Sequence, residues 1–347
     1  MAGIEMIPSH MLLQPARQSI STAQKSLSSL QTETTTGRHA DIGLALGTRT
    51  ADSAALRLAL QDTLIQGDIF SQSSVKAEVT QTALTALSDL AQRFRSTLTV
   101  GKTSETGRVI STQAAQASLQ AFRDLLATTY NSEYLFSGQN SDISPINDYH
   151  SGPRARIISA FQDSFGFEPS NPAAAQLSSD QLFEFVTGAM EELFSGDNWR
   201  AAWSNATEFS PTIRLSSIQS TRVLATADSD FAQKLAYSFS VIEVLGSSAV
   251  NDAAFSRAVD IALGVVSEGQ LLVEEQQALI GSGQKTLESA RAQLSIQKTM
   301  LSKAIQDLEG VDLFDVATRT NLVMSTLEAS YALTSRLGRL SILSYLR

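Results

Sequence analysis

Val259-Asp-Ile-Ala-Leu-Gly-Val-Val266 opens a register that continues through Val273, Ile280, Leu287, Leu294, Leu301 and Leu308. Eight aliphatic residues at strict seven-residue spacing are the signature of a long helix in coiled-coil-like contact. The intervening fourth positions are small or polar at Ala262, Gln276, Ala290, Gln297 and Ala304. Taken as one helix, residues 252–309 would run about 87 Å at 1.5 Å per residue. Gly264, Gly269, Gly281 and Gly283 each weaken such a helix by roughly 1 kcal/mol relative to Ala. Gly281-Ser-Gly283 is therefore the expected point of any break. As a seam position, Leu294 is expected to carry the ~2–5 kcal/mol of a buried leucine.

Outward from this stretch, proline divides the chain. The seven prolines are Pro8, Pro15, Pro145, Pro153, Pro169, Pro172 and Pro211, leaving 16–144 and 212–347 free of them. Because proline breaks helix interiors, both long stretches are open to helix. Trp199, Trp203 and ten of the fifteen phenylalanines fall between 130 and 250, so the aromatic core material sits in the middle. The chain reads as mainly α, with long antiparallel, coiled-coil-like arms from both ends and a compact mixed α/β insert between them. Five segments follow: 1–45, an N-terminal amphipathic helix and loop; 46–145, a helical arm; 146–228, the insert; 229–310, the second arm; and 311–347, a C-terminal amphipathic helix.

The first segment carries a seam at Leu13, Ile20, Leu27 and Leu30 with Ala16 and Ala23, and the last carries Leu313, Val316, Val323 and Leu327, then Leu333, Leu337, Leu340 and Leu343. An apolar stripe at a chain end is either docked on its own domain or held for a partner. We take Leu13, Ile20, Leu27, Leu30, Val323, Leu327, Leu337, Leu340 and Leu343 as self-association or partner positions. Their dilution by Ser330, Thr334, Gly338 and Ser341 predicts ends that order only on assembly, since one such helix buries too little area to offset its ordering entropy. Asp41-Ile-Gly-Leu-Ala-Leu-Gly47 reads as a loop, and helix is expected over 51–99 and 106–130. Within the insert, Ser178-Ser-Asp-Gln181 has capping-box form at the head of a helix to about Phe194. Ile213-Arg-Leu215 and Thr221-Arg-Val-Leu224 read as strands, and a helix is expected over 229–245.

Composition narrows function. Lys+Arg of 26 against Asp+Glu of 35 gives a net charge of −9, which opposes binding to a phosphate backbone and excludes a nucleic-acid partner. The apolar runs are far short of the ~20 residues of a membrane span, so no membrane insertion is expected. Without cysteine there is no thiol catalysis, Cys-ligated zinc or disulfide. His10, His39 and His150 stand far apart, and no zinc-protease, hydrolase or phosphate-loop pattern occurs. Glu191-Glu192 and Glu274-Glu275 are neighbours that point apart on a helix and read as solvated faces. Neither an enzyme nor a cofactor or metal site is expected. Met1-Ala-Gly-Ile-Glu-Met-Ile-Pro8 lacks the basic start and apolar core of a cleaved signal peptide.

Four stretches then resemble the flagellin superfamily. Ser28-Ser-Leu30 with Thr36-Gly37-Arg38 is similar to the stretch after its first terminal helix. Tyr134-Leu-Phe-Ser-Gly138 resembles the motif closing its N-terminal arm. Ile305-Gln-Asp-Leu-Glu-Gly-Val-Asp-Leu-Phe314 resembles its link to the last helix, and Leu340-Ser-Ile-Leu-Ser-Tyr-Leu346 its apolar end. The similarity spans about 1–145 and 250–347. The ending, with Arg336-Leu-Gly-Arg339 ahead of it, is more like the hook–filament junction branch than filament flagellins. The resemblance implies a structural adaptor exported by the flagellar type III route to the cell exterior and self-assembled in a ring. Its implied partners are the first hook-associated protein, flagellin or the filament cap, and an export chaperone. A filament-forming flagellin and an unrelated intracellular coiled-coil tether are the rival readings.

Overall fold

In the computed structural model, residues 9–102, 106–150, 152–209, 211–216 and 219–345 are described, the side chains of 9–13, 16 and 337–345 excepted. The long helices are α1 (Ser9–Thr36), α3 (Thr50–Gly101) and α4 (Gly107–Leu126) from the N-terminal side. From the C-terminal side come α8 (Asp230–Gly246), α9 (Asp252–Glu309) and α10 (Leu313–Tyr345). Between α1 and α3 lies the short α2 (Ile42–Leu46). Between α4 and α8 lie α5 (Pro153–Phe165), α6 (Ser179–Phe185) and α7 (Gly196–Ala202). Two hairpins complete the fold: β1 (Thr129–Tyr130) with β2 (Glu133–Tyr134), and β3 (Thr212–Arg214) with β4 (Ser220–Arg222), both antiparallel. The protein is mainly α.

The chain forms two compact units, residues 1–67 with 293–347, and residues 68–292. The second unit holds most of the core. Its centre is α8, buried along nearly its whole length as a largely apolar helix must be, with its buried Glu243 accepting from the Tyr149 hydroxyl at 2.7 Å. Phe239 of α8 packs edge-on against Phe94 of α3 at 4.8 Å and Phe122 of α4 at 6.1 Å. Trp199 and Trp203 stack at 5.3 Å within the insert, and the indole of Trp199 donates to the Ala227 carbonyl at 3.2 Å. Arg108 of α4 closes the C-terminal end of α8. Its guanidinium donates to the carbonyls of Leu245, Gly246, Ser248 and Val250 at 2.7–3.1 Å, satisfying groups a helix end leaves open.

Helix α9 is unbroken through Gly281 and Gly283. The glycines at two fourth positions of the seam are sites of close approach. A Cβ at Gly269 would lie 2.9 Å from the Leu235 side chain, and one at Gly283 would lie 2.2 Å from the Arg222 carbonyl oxygen. The loss of helix propensity admits neighbours that a side chain would exclude.

Val259, Val266, Val273, Ile280 and Leu287 are buried, all in the second unit. Leu294, Leu301 and Leu308 are only half-buried, so the expectation of a core leucine at 294 is corrected. The register persists there, but the flanking positions from 295 to 300 are all exposed. Residues 41–47 also differ from the loop reading. Asp41 accepts from the Leu44 amide at 2.9 Å and starts α2, a cap worth about 1 kcal/mol. The Ser178 capping box forms with both reciprocal bonds. The helical run it starts passes from Ser179–Phe185 through a wider turn, Val186–Met190, and carries on to residue 192, with the Phe194 amide still donating to the Glu191 carbonyl at 3.0 Å, as the sequence led one to expect.

Candidate functional site

The first unit brings the two chain ends together. Helices α1 and α10 pack against each other, and Gln24 donates to the Tyr331 hydroxyl at 2.9 Å. The stripe on α10 is tight: Val316 and Leu327 are buried, and Thr320, Val323, Ser330 and Thr334 are half-buried. On α1, Leu30 is buried and Ile20, Ala23 and Leu27 are half-buried. The ends are therefore helical and paired in the single chain, where dilution of the stripe alone predicted ends ordered only on assembly. Pairing lets each stripe cover the other. Leu13, Leu337, Leu340 and Leu343 lie outside the residues whose side chains are described.

The pairing leaves a second set of apolar residues outward. Leu322 is 68% exposed and Leu333 58%, and three turns of α10 place them on one line. Phe314 is 82% exposed at the start of α10. Leu58 and Ile65 of α3, and Ile296 and Met300 of α9, are also more than half exposed within the same unit.

Two of the motif stretches meet where α1 ends and α10 begins. Gly37 takes a left-handed φ of +67° and ends α1, a role that suits glycine. Its carbonyl accepts from the Val311 amide at 3.1 Å, and the Glu309 carbonyl accepts from the His39 amide at 3.0 Å. Thr36-Gly37-Arg38 and Glu309-Gly310-Val311 thus form one antiparallel bridge between Arg38 and Gly310. Inside it the Glu309 carboxylate is fully buried. Arg57 of α3 grips it with a fork, Nε to Oε1 at 2.7 Å and Nη2 to Oε2 at 2.5 Å. The Ser53 hydroxyl donates to Oε1, and Arg38 Nη1 lies 3.6 Å from Oε2. The Arg57 bonds hold the Glu309 carboxyl below the usual carboxylate range, opposed by its burial and assisted by Ser53 and by the charges of Arg57 and Arg38.

The third motif, Tyr134-Leu-Phe-Ser-Gly138, folds into the second unit. It follows a two-residue turn in which Asn131 and Ser132 both have positive φ, the pattern that matches strand twist in a tight hairpin. Leu135, Phe136 and Ser137 are buried, and the Ser137 hydroxyl donates to the Ile143 carbonyl at 2.7 Å. Gly138 has φ +68°, and a Cβ there would lie 2.2 Å from the Thr207 hydroxyl. These residues serve packing. The fourth motif, near the C-terminus, runs through residues whose side chains are not described.

The rest of the surface holds little chemistry. His39 sits 3.7 Å from Glu33, and His150 lies against Tyr149. Among the described residues, no group of three metal-ligating side chains occurs and no helix is long and apolar enough to cross a membrane. Glu191 pairs with Lys234 at 3.3 Å, while Glu192, Glu274 and Glu275 are exposed.

Residues 7–141 match the bacterial flagellin N-terminal helical region, and residues 263–346 match the bacterial flagellin C-terminal helical region. The chain belongs to the flagellin family. Together the two matches cover the first arm to residue 141, the second arm from residue 263 and the helices at both ends, and leave 142–262, the insert and α8 included, outside. As a flagellin-family member it is a structural protein of the flagellum. Among solved structures it is similar in fold to a protein from Vibrio parahaemolyticus described as flagellar hook-associated. That likeness has a TM-score of 0.52 at 11% identity, over 75% of this chain and 97% of the other. No curated protein matches the chain.

Proposed function

We propose that this flagellin-family protein is the adaptor between hook and filament, exported by the flagellar type III route and assembled as a ring. The observation that carries the reading is the α1–α10 pair, which satisfies itself on one side and leaves Phe314, Leu322 and Leu333 outward on the other. An exposed apolar line on a paired helix is a surface for neighbouring helices. Ile20, Leu27, Leu30, Val323 and Leu327 hold that pair, and Leu294, Leu301 and Leu308 supply half-covered positions on α9. The junction-like ending, Leu340-Ser-Ile-Leu-Ser-Tyr-Leu346, favours the adaptor over the filament subunit. Its neighbours would be the first hook-associated protein on one side and flagellin or the cap on the other, with an export chaperone before assembly.

Deletion of the gene, followed by electron microscopy and assay of the medium, tests this. The adaptor role gives hooks without filaments and flagellin released outside the cell. Purified protein that polymerises alone into long filaments would make it a filament subunit instead. Protein found in the cell pellet and absent from sheared flagella would point to an intracellular tether.

A further inference from the structure

The first unit owes little to an apolar core. Among its described residues, only Leu30, Ile305, Val316 and Leu327 are buried apolar side chains, whereas the second unit buries dozens. The cluster around Glu309 is by contrast dense. One carboxylate accepts from Ser53 and Arg57 of α3, lies near Arg38 beyond the end of α1, and closes α9 immediately before α10. A second layer surrounds it. Glu33 of α1 accepts from the Ala40 amide at 3.2 Å and faces His39 at 3.7 Å and Arg319 of α10 at 3.7 Å, while Arg319 also reaches Asp315 at 3.0 Å. Oε2 of Glu33 is buried without a hydrogen bond, so the charged layer, not a saturated network, holds it.

We propose that the Glu309 carboxylate is a conformational latch. Ionised, it holds the α1–α10 pair on the first turns of α3; neutralised, it lets the pair detach while the rest of the chain stays folded. The physical reason is asymmetry. Glu309 is fully buried whereas Arg57 and Arg38 are nearly half-exposed, so neutralising the carboxyl costs the joint the charge-assisted contacts that draw both guanidiniums in from water. The apolar contacts of this unit are too few to hold the joint against that cost. Local opening then precedes global unfolding. The direction of the Glu309 titration agrees: a carboxyl held low in the folded state supports the joint above the ordinary carboxylate range and releases it as pH falls. The other titratable groups facing the joint are Glu33 and His39 from α1 and its exit, and Asp315 from α10.

Hydrogen exchange on the full chain at pH 7 tests the latch, with peptides from 20–36 and 316–331 as reporters and 230–246 as the internal reference. Glu309→Gln, which copies the neutral carboxyl, should speed exchange in both terminal reporters by about 10-fold or more and leave 230–246 unchanged. Ser53→Ala removes one neutral donor and should give a smaller acceleration of about 3-fold in the same two reporters. It carries the same reading should Glu309→Gln not fold. Unchanged terminal exchange in Ser53→Ala and Glu309→Gln would overturn the proposal. So would equal acceleration in 230–246, which would mean general destabilisation.

Discussion

Gly283 of α9 lies directly beneath the carbonyl oxygen of Arg222, so close that a Cβ on Gly283 would fall 2.2 Å from that oxygen. The β3–β4 hairpin reaches α9 because this position has no side chain. Gly264 and Gly281, in the same helix, have nothing within 4 Å.

The contrast separates propensity from packing. Gly264→Ala and Gly281→Ala should stabilise the protein by up to about 1 kcal/mol, since Ala costs less than Gly in a helix interior. Gly283→Ala should destabilise it despite the same propensity gain, because the clash is with backbone. Urea unfolding midpoints of the three variants give the signs.

Leu287 and Leu294 occupy equivalent seam positions with different burial. Leu287→Ala should cost about 2–5 kcal/mol, the range for a buried leucine. Leu294→Ala should cost less than half as much in the isolated chain, because Leu294 is half-buried. Equal costs would mean that α9 is covered beyond residue 292 in solution.

Arg108 serves four carbonyls at the end of α8 from a site whose burial lowers its pKa. Arg108→Met keeps much of the stem and removes every donor. It should lower the stability of the second unit by about 1–3 kcal/mol, read by the fluorescence of the buried Trp199 and Trp203.

The acid and alkaline limits should report different units. The folded pKa of Glu309 is lowered, chiefly by Arg57, so its contribution is present above the unfolded value of about 4.3 and fades as pH falls through the folded one. That loss appears in the first unit. Burial, reinforced by Glu243 beside Tyr149 and by Glu191 near Tyr237, raises both phenols. Their contribution is present below about pH 10 and is lost as pH rises through the folded values, in the second unit. A Tyr149→Phe, Tyr237→Phe double variant should flatten the alkaline loss without changing the acid one.

What the sequence made legible follows from the range of each interaction. The heptad register, the Ser178 cap and the proline-free arms are local patterns, and α9, α6 and the long helices appear where those patterns lie. The end of the buried seam at Leu287 depends on what packs beside α9, which no spacing records. The Arg57–Glu309 fork joins residues 252 positions apart, and Arg108 meets its carbonyls from another helix. Local signals for α2 and the Asn131-Ser132 turn were present, in Asp41 as a cap and in Asn131 as a residue tolerant of positive φ.

The outward line of α10 is the proposed assembly surface, and filament number in a deletion strain complemented with Leu322→Glu, Leu333→Glu tests it most directly. Both side chains are exposed in the single chain, so the double variant should fold and be exported at normal levels. Such cells should show hooks without filaments, with flagellin in the medium as in the deletion strain. Filaments of normal number and length on that variant would contradict it.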